Sequence, residues 1–268
     1  MSYASVTASA SGCHILSGCG FPAPSLNNFQ FKPIFTIGSF HFTKPMLIAL
    51  ICAAIVIWFF WAAFARPKLV PRGIQNVAEL GVMFVRDQIL RPAMGKKGDR
   101  FLPFLVSLFF FIWLMNLMEI IPVAQFPVTS RIGYVWGLVA VVWVTFMFLG
   151  MKHQGPLRFF ATLVPPGVPW WIIWFLAPVV VLSDVVVQTF TLGVRLFANM
   201  FAGTLLITVF IAASWYLANV SVYAIFAAGS FFMVLVLTAF EVLIQFLQAF
   251  IFTTLTATYI ARSLDPQH

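Results

Sequence analysis

The sequence predicts an all-α, polytopic membrane protein, and three observations carry that reading. Of 268 residues, 62% are hydrophobic and only 8% are charged, whereas soluble domains hold roughly 25% charged residues. The mean hydropathy is +1.01. Uncharged apolar runs recur, each near or above the ~20 residues that a membrane-spanning helix needs. Too little polar surface remains to coat a soluble enzyme, and a disordered chain would be poor in apolar residues. Five to six transmembrane helices are expected, the last two long and strongly tilted, with an amphipathic helix at the interface.

Residues 1–20 are rich in Ser, Ala and Gly. They lack the Arg of a transit peptide and the apolar core of a signal peptide, and read as a flexible leader. FQFKPIFTIGSFHF (29–42) alternates loosely, which suggests short extended structure at the membrane surface. The first span is Pro45–Ala65, where a Pro near the helix start is tolerated because its missing N–H would be unpaired anyway. Eight of the 15 basic residues then fall between Arg66 and Arg100, which places this loop in the cytoplasm. Inside it, Ile74, Val77, Leu80, Gly81 and Phe84 recur at helical spacing. An amphipathic helix is therefore expected over 72–90, lying along the interface.

The second span is Leu102–Ile121, stopped by Pro122. Loop 122–133 carries one basic residue, Arg131, and is assigned outside. The third span is Tyr134–Met151, and Lys152, His153 and Arg158 mark its cytoplasmic exit. PPGVPWW (165–171) breaks the chain before two apolar stretches, 171–213 and 222–261. The link between them, SWYLANVS, has no Lys or Arg and is assigned outside. The topology reads as an extracytoplasmic segment 1–44, one transmembrane domain 45–262 and a cytoplasmic tail 263–268. The Trp residues at 58, 61, 170 and 171 suit an interfacial belt.

The net charge of +8 does not point to nucleic acid, because most of it lies in one loop that topology explains. Cys13, Cys19 and Cys52 fit no CxxC metal pattern, and a Cys13–Cys19 bridge would require an extracytoplasmic N-terminus. The four His stand at loops or ends, unlike haem ligands inside spans. No metal or cofactor is called for.

Each of the last two stretches is about 40 residues, or about 60 Å of helix, twice the hydrocarbon core. Ordinary tilts average ~20°, and a fit without breaks needs about 60°. A sloping pair of that kind implies a membrane partner packed against it. Their polar residues are also aligned. Asp184, Gln188, Thr191, Arg195 and Asn199 fall within about 80° of arc at ~100° per residue, and Glu241, Gln245 and Gln248 share one face of the last helix. An intramembrane Arg costs from about 2.5–3.5 to 10–17 kcal/mol, so it must obtain partners or water. One reading is interhelical glue, with Asp184–Arg195 or Arg195–Glu241 as a static ion pair. The other is an ion pathway, in which Glu241 exchanges protons, amides line water and Arg195 supplies fixed charge.

Three segments then resemble subunit a of F-type ATP synthases: TLGVRLFANMFAGTLL (191–206), LIQFLQAFIFTTLTATYI (243–260) and NLMEIIP (116–122). The likeness runs in order over 45–262, and the RLFANM block is specific. It implies that Arg195 is the essential arginine facing a rotor ring of c subunits, with Asn199 and Gln248 lining its surroundings. It also implies two steeply tilted final helices and a short hairpin element near 155–170. The expected partners are the c ring, the b subunits of the peripheral stalk, the remaining synthase subunits and the lipid bilayer. No reaction chemistry is expected in this chain alone.

The pattern also departs from the family. Nine residues after the arginine, where His or Glu is common, stands Thr204, read as packing with its hydroxyl bonded back to its own helix. Glu241 keeps the ionisable position seven residues before Gln248. Upstream, Val180 replaces a common carboxylate, Asp184 stands one turn later, and Gln188-Thr189 replaces Arg-Pro. Glu241 and Asp184 are therefore expected to carry the proton relay, with Gln188 and Gln245 beside them. Glu119 is read first as an interfacial capping or solvated group, with a place in the inlet as the alternative. Asn116 is expected to bond a neighbouring helix, and Arg86 and Asp87 on the surface helix are candidates for contact with the peripheral stalk. A secondary transporter would predict internal repeats, and none is seen. A purely structural subunit would not need an Arg stripe opposite a Glu. A bacterial plasma membrane is expected, with the mitochondrial inner membrane as the alternative.

Overall fold

The computed structural model describes residues 35–37, 40–68, 70–121, 132–155, 179, 183, 187–218 and 223–264. The Cys13–Cys19 pair, the hairpin element near 155–170, Asp184 and most of loop 122–133 lie outside them. Two strands, β1 (Phe35–Ile37) and β2 (Phe40–Phe42), pair antiparallel with Thr36 opposite His41. They fulfil the extended structure expected there, and the regular elements described after them are all helices.

Helix α1 is Lys44–Phe64, α2 is Ile74–Val85 and α3 is Arg91–Met94. Between α2 and α3, residues Arg86–Leu90 form a π-helical turn, in which the Arg91 N–H bonds the Arg86 carbonyl five residues back. A 3₁₀ segment, Gly95–Phe101, leads into α4 (Leu102–Leu117). Helix α5 is Ile132–Gln154, α6 is Gln188–Leu217 and α7 is Tyr223–Leu264. Five helices are long and apolar enough to cross a membrane among the described residues, namely α1, α4 with its lead-in, α5, α6 and α7. Second-span helix ends at Leu117, and turns follow to Ile121 in place of the expected last helical turn.

The 30 residues of α6 and 42 of α7 correspond to about 45 and 63 Å of rod. Threonine hydroxyls near the end of α7 are satisfied within the helix. Thr253, Thr254, Thr256 and Thr258 each donate to the carbonyl four residues back, at 2.8–3.0 Å. This removes unpaired donors from an apolar setting where each would be costly. Large apolar side chains such as Ile57, Trp61, Ile225, Phe226 and Phe232 are exposed, as lipid-facing residues are.

The chain divides into two compact units. One comprises residues 55–112, 132–197 and 248–268. Here α2 lies on α4 through Gly81, where a Cβ would come within 2.6 Å of the Phe110 ring. Phe110 in turn meets Phe60 edge-on at 5.3 Å. Gly193 lets α6 approach Val139 of α5, and Trp136 packs against Phe190 at 5.2 Å. Gly155, at φ 80°, ends α5 with its N–H on the Met151 carbonyl, the left-handed stop that suits glycine. Just before it, Gln154 Nε2 donates to the carbonyls of Arg262 (3.2 Å) and Ser263 (2.9 Å), capping α7. Arg86 pairs with Asp99 at 2.8 Å, and this hydrogen bond holds the guanidinium above its ordinary pKa. Asp87 lies 3.4 Å from Arg91. These partners belong to the chain itself, and all four side chains remain partly exposed.

The other unit comprises residues 1–54, 113–131 and 198–247. Trp113 meets Phe246 edge-on at 5.7 Å, and Ser230 Oγ donates to the Phe210 carbonyl at 3.0 Å, joining α7 to α6.

Candidate functional site

Helix α6 is divided lengthwise. Leu192, Leu196, Met200, Thr204, Thr208 and Ala212 recur every fourth residue and are buried. Thr191, Arg195 and Asn199, also one turn apart, are exposed. The predicted polar face is thus real for these three. Gln188 opens the same helix, and Asp184 lies outside the described residues. Arg195 forms no ion pair among the described residues, and the Asp184–Arg195 pairing lies outside them.

Helix α7 reverses the arrangement. Glu241, Gln245 and Gln248 are 4%, 0% and 2% exposed, continuing the buried face that Ala249, Phe252, Thr256 and Ile260 complete. Its flanks, Phe240, Leu243 and Leu247, are exposed. The predicted face exists, and it points inward.

Within the second unit, these faces meet around two carboxyls. Glu241 lies against Gly203, where any Cβ would collide with its carboxylate. It opens on a pocket of about 230 Å³ lined by Asn199, Ala202, Gly203, Leu237, Phe240 and Ile244 among others. Glu241 Oε1 has no hydrogen-bond partner among the described residues. The second carboxyl is Glu119, in the turn that follows α4 and whose N–H bonds the Asn116 carbonyl at 3.1 Å. It is 1% exposed. Thr204 Oγ1 is 2.7 Å from Glu119 Oε1, and Gln245 Nε2 donates to Glu119 Oε2 at 3.2 Å.

Two expectations change. Glu119 is not a solvated or capping group: a carboxyl with two side-chain partners and almost no exposure belongs to the interior. Thr204 does bond back to the Met200 carbonyl, at 2.7 Å, but it also contacts Glu119 and is more than packing. Asn116 is buried. Gly203 and Thr204 were the positions that the polar stripe could not reveal. Thr204 stands nine residues after Arg195, about 180° around the helix, so a search along the arginine face passes it by.

Chemically, the cluster offers two buried carboxyls that can hold or release protons, amides that can donate or accept, and a hydroxyl that does both. Arg195 offers a fixed cation on another face of the same helix.

A sequence model of the "ATP synthase A chain" family matches residues 46–261. Among named relatives, ATP synthase subunit a of Streptomyces lividans is 46% identical, covering 98% of this chain and 95% of its own. The subunit a of Frankia alni is 40% identical over 93% of this chain and 88% of its own, and that of Rhodococcus erythropolis 40% over 91% and 90%. The chain therefore belongs to the ATP synthase subunit a family.

Proposed function

We propose that the chain is the stator subunit of the membrane sector of a bacterial ATP synthase, forming two offset proton half-channels against a ring of c subunits. The observation that carries this reading is Arg195, exposed on an apolar helix long enough to span a membrane. A bare guanidinium facing acyl chains costs several kcal/mol, so a partner or water must cover it. A passing carboxyl on a neighbouring rotor answers that need.

Protons enter from outside near Glu241, with Asn199, Gln245 and Glu119 around the inlet. They neutralise a c-subunit carboxyl, which then turns into lipid. After nearly a full turn the carboxyl releases its proton to the cytoplasm, near Asp184 and Gln188. Arg195 stands between the two half-channels. Its permanent charge favours the ionised form of a facing carboxyl and repels a proton crossing directly. The driving energy is about 2.3 kcal/mol per charge per 100 mV, so several protons are needed for each ATP. The b subunits and the remaining synthase subunits complete the assembly in the bacterial plasma membrane. Residues 1–44 face outward and 263–268 the cytoplasm.

Arg195→Ala in inverted membrane vesicles tests the reading. ATP-driven proton pumping is expected to disappear, and coupled pumping that survives refutes the role. Glu241→Gln is expected to slow passive conduction by about 10²-fold, and an unchanged rate would move the relay elsewhere.

A further inference from the structure

We propose that the hollow between α1, α2 and α4 holds an acyl chain of an anionic phospholipid, whose headgroup is kept by the basic link at its rim. The site rests on the reading above only for the side of the membrane on which it lies.

The hollow measures about 470 Å³. Its walls are Val56, Phe60 and Phe64 of α1, Val82 of α2, and Leu102 and Val106 of α4, all within the first compact unit. From Val56 to Phe64 is about 12 Å of helical rise, less than half of the ~30 Å hydrocarbon core, so the hollow belongs to one leaflet. Ser107 brings a hydroxyl to the wall, and that hydroxyl already donates to the Phe104 carbonyl at 2.8 Å. A polar guest would lose its hydrogen bonds in such a place, and an apolar one loses nothing. The hollow is open sideways, where Ile57 at its edge is 69% exposed.

Its depth follows from α2. Ile74, Val77 and Leu80 give that helix an exposed apolar face, and such a helix lies at the boundary of headgroups and acyl chains. Val82 of the same helix lines the hollow, which therefore opens just beneath the headgroup layer.

Charge selects the guest. Residues 66–100 contain eight basic and three acidic residues. The acids are already engaged: Asp99 with Arg86, Asp87 with Arg91, and Glu79 as acceptor from Gln75 at 2.8 Å. Arg66, Lys68, Arg72 and Arg100 are exposed and form no ion pair among the described residues. Arg66 stands two residues past Phe64 and Arg100 two before Leu102, so both backbones lie within about 7 Å of the rim. The link is also tied in place. Gln75, 8% exposed, accepts from the Lys68 N–H at 3.1 Å and donates to the Lys68 carbonyl at 3.0 Å. An acidic lipid meets free cations at its head and an undemanding wall along its chain, the arrangement by which basic pockets between spans hold such lipids. A neutral lipid would satisfy the wall alone. A partner's spanning helix needs contact along the whole core, and the hollow offers it two turns.

The test uses the whole synthase reconstituted in phosphatidylcholine vesicles. These carry a trace of phosphatidylglycerol with a diazirine in one acyl chain, or of phosphatidylcholine with the same chain, and labelled peptides are mapped after photolysis. Labelling of 56–64 and 102–107 is expected to be at least about tenfold stronger from phosphatidylglycerol, since each basic residue near the surface contributes about fivefold. Arg66→Gln, Lys68→Gln and Arg72→Gln together are expected to remove that preference. Ser107→Phe puts a ring into the hollow and leaves the charges alone, and is expected to abolish labelling there by both lipids. Equal labelling by the two headgroups overturns the proposal, as does labelling that Ser107→Phe leaves unchanged. Absence of label from both segments also overturns it, and assigns the hollow to a protein partner. Should the triple variant fail to assemble, salt decides on the unaltered complex. Raising ionic strength from about 0.1 to 1 M shortens screening from about 10 to 3 Å, and a preference that survives unreduced refutes the role of the basic link. Arg195→Ala is run alongside and is expected to lose pumping with labelling intact. Surviving pumping there rejects the proton-pathway reading and leaves the lipid site standing, whereas lost pumping with equal labelling by both headgroups does the reverse.

Discussion

Gly203 of α6 and Glu241 of α7 share one space: the position of a Cβ on the first is occupied by the carboxylate of the second. Gly in a helix interior costs about 1 kcal/mol relative to Ala, so the backbone alone would favour a larger residue. Its presence is explained by the room that Glu241 needs. Gly203→Ala is expected to leave helix content intact and to slow passive proton conduction by about tenfold or more, because the carboxylate must move. Shortening the partner by one methylene, as Gly203→Ala with Glu241→Asp, should regain part of the rate. A Gly203→Ala complex that conducts normally would show that the carboxylate position is not critical.

Gln245 gives a prediction in which stability and function separate. Gln245→Leu removes the hydrogen bond to Glu119 and leaves the buried Oε2 unsatisfied, a cost of about 1–3 kcal/mol. It also removes a buried Oε1 that lacks a partner among the described residues, a liability of about 1–3 kcal/mol. The two nearly offset, so thermal stability of the complex should change little while conduction falls. A large drop in melting temperature would mean that Gln245 has a partner that this account omits.

Gly81 tests how the surface helix is seated. A Cβ there meets the Phe110 ring at 2.6 Å, and Phe60 and Phe109, each 5.3 Å from that ring, limit its escape. Overpacking of this kind costs about 1–3 kcal/mol, more than the helix propensity that Ala restores. Gly81→Ala should lower the thermal midpoint in detergent, and Gly81→Leu should lower it further.

The α7 terminus can be probed from outside. Gln154→Ala removes both hydrogen bonds to the Arg262 and Ser263 carbonyls. Water replaces them at this exposed end, so the global cost stays below about 1 kcal/mol. Local fraying should still speed tryptic cleavage after Arg262. Equal cleavage rates would show that the cap does not hold the end.

Much of this was legible in the sequence because lipid imposes long apolar helices, and a 3.6-residue period fixes which residues share a face. That rule found the exposed Thr191, Arg195 and Asn199 and the buried Glu241, Gln245 and Gln248. It also placed the surface helix, α2, from Ile74, Val77 and Leu80. It could not find the Glu119–Thr204 contact, because the two residues are 85 positions apart and periodicity carries no information between helices. Glu119 looked solvated because it follows the last apolar turn of a span. Only the turn over 118–120 carries it inward.

The π-helical turn at Arg86–Leu90 has one residue more than an α-helical path would use, so the α3 turn that follows it is out of phase with α2 by about 100°. Deleting a single residue from this turn would restore ordinary winding and rotate the following segment by that angle. Asp99 would then swing off Arg86. This stretch measures its contacts by residue count rather than by composition, and it should tolerate many substitutions there but no change of length.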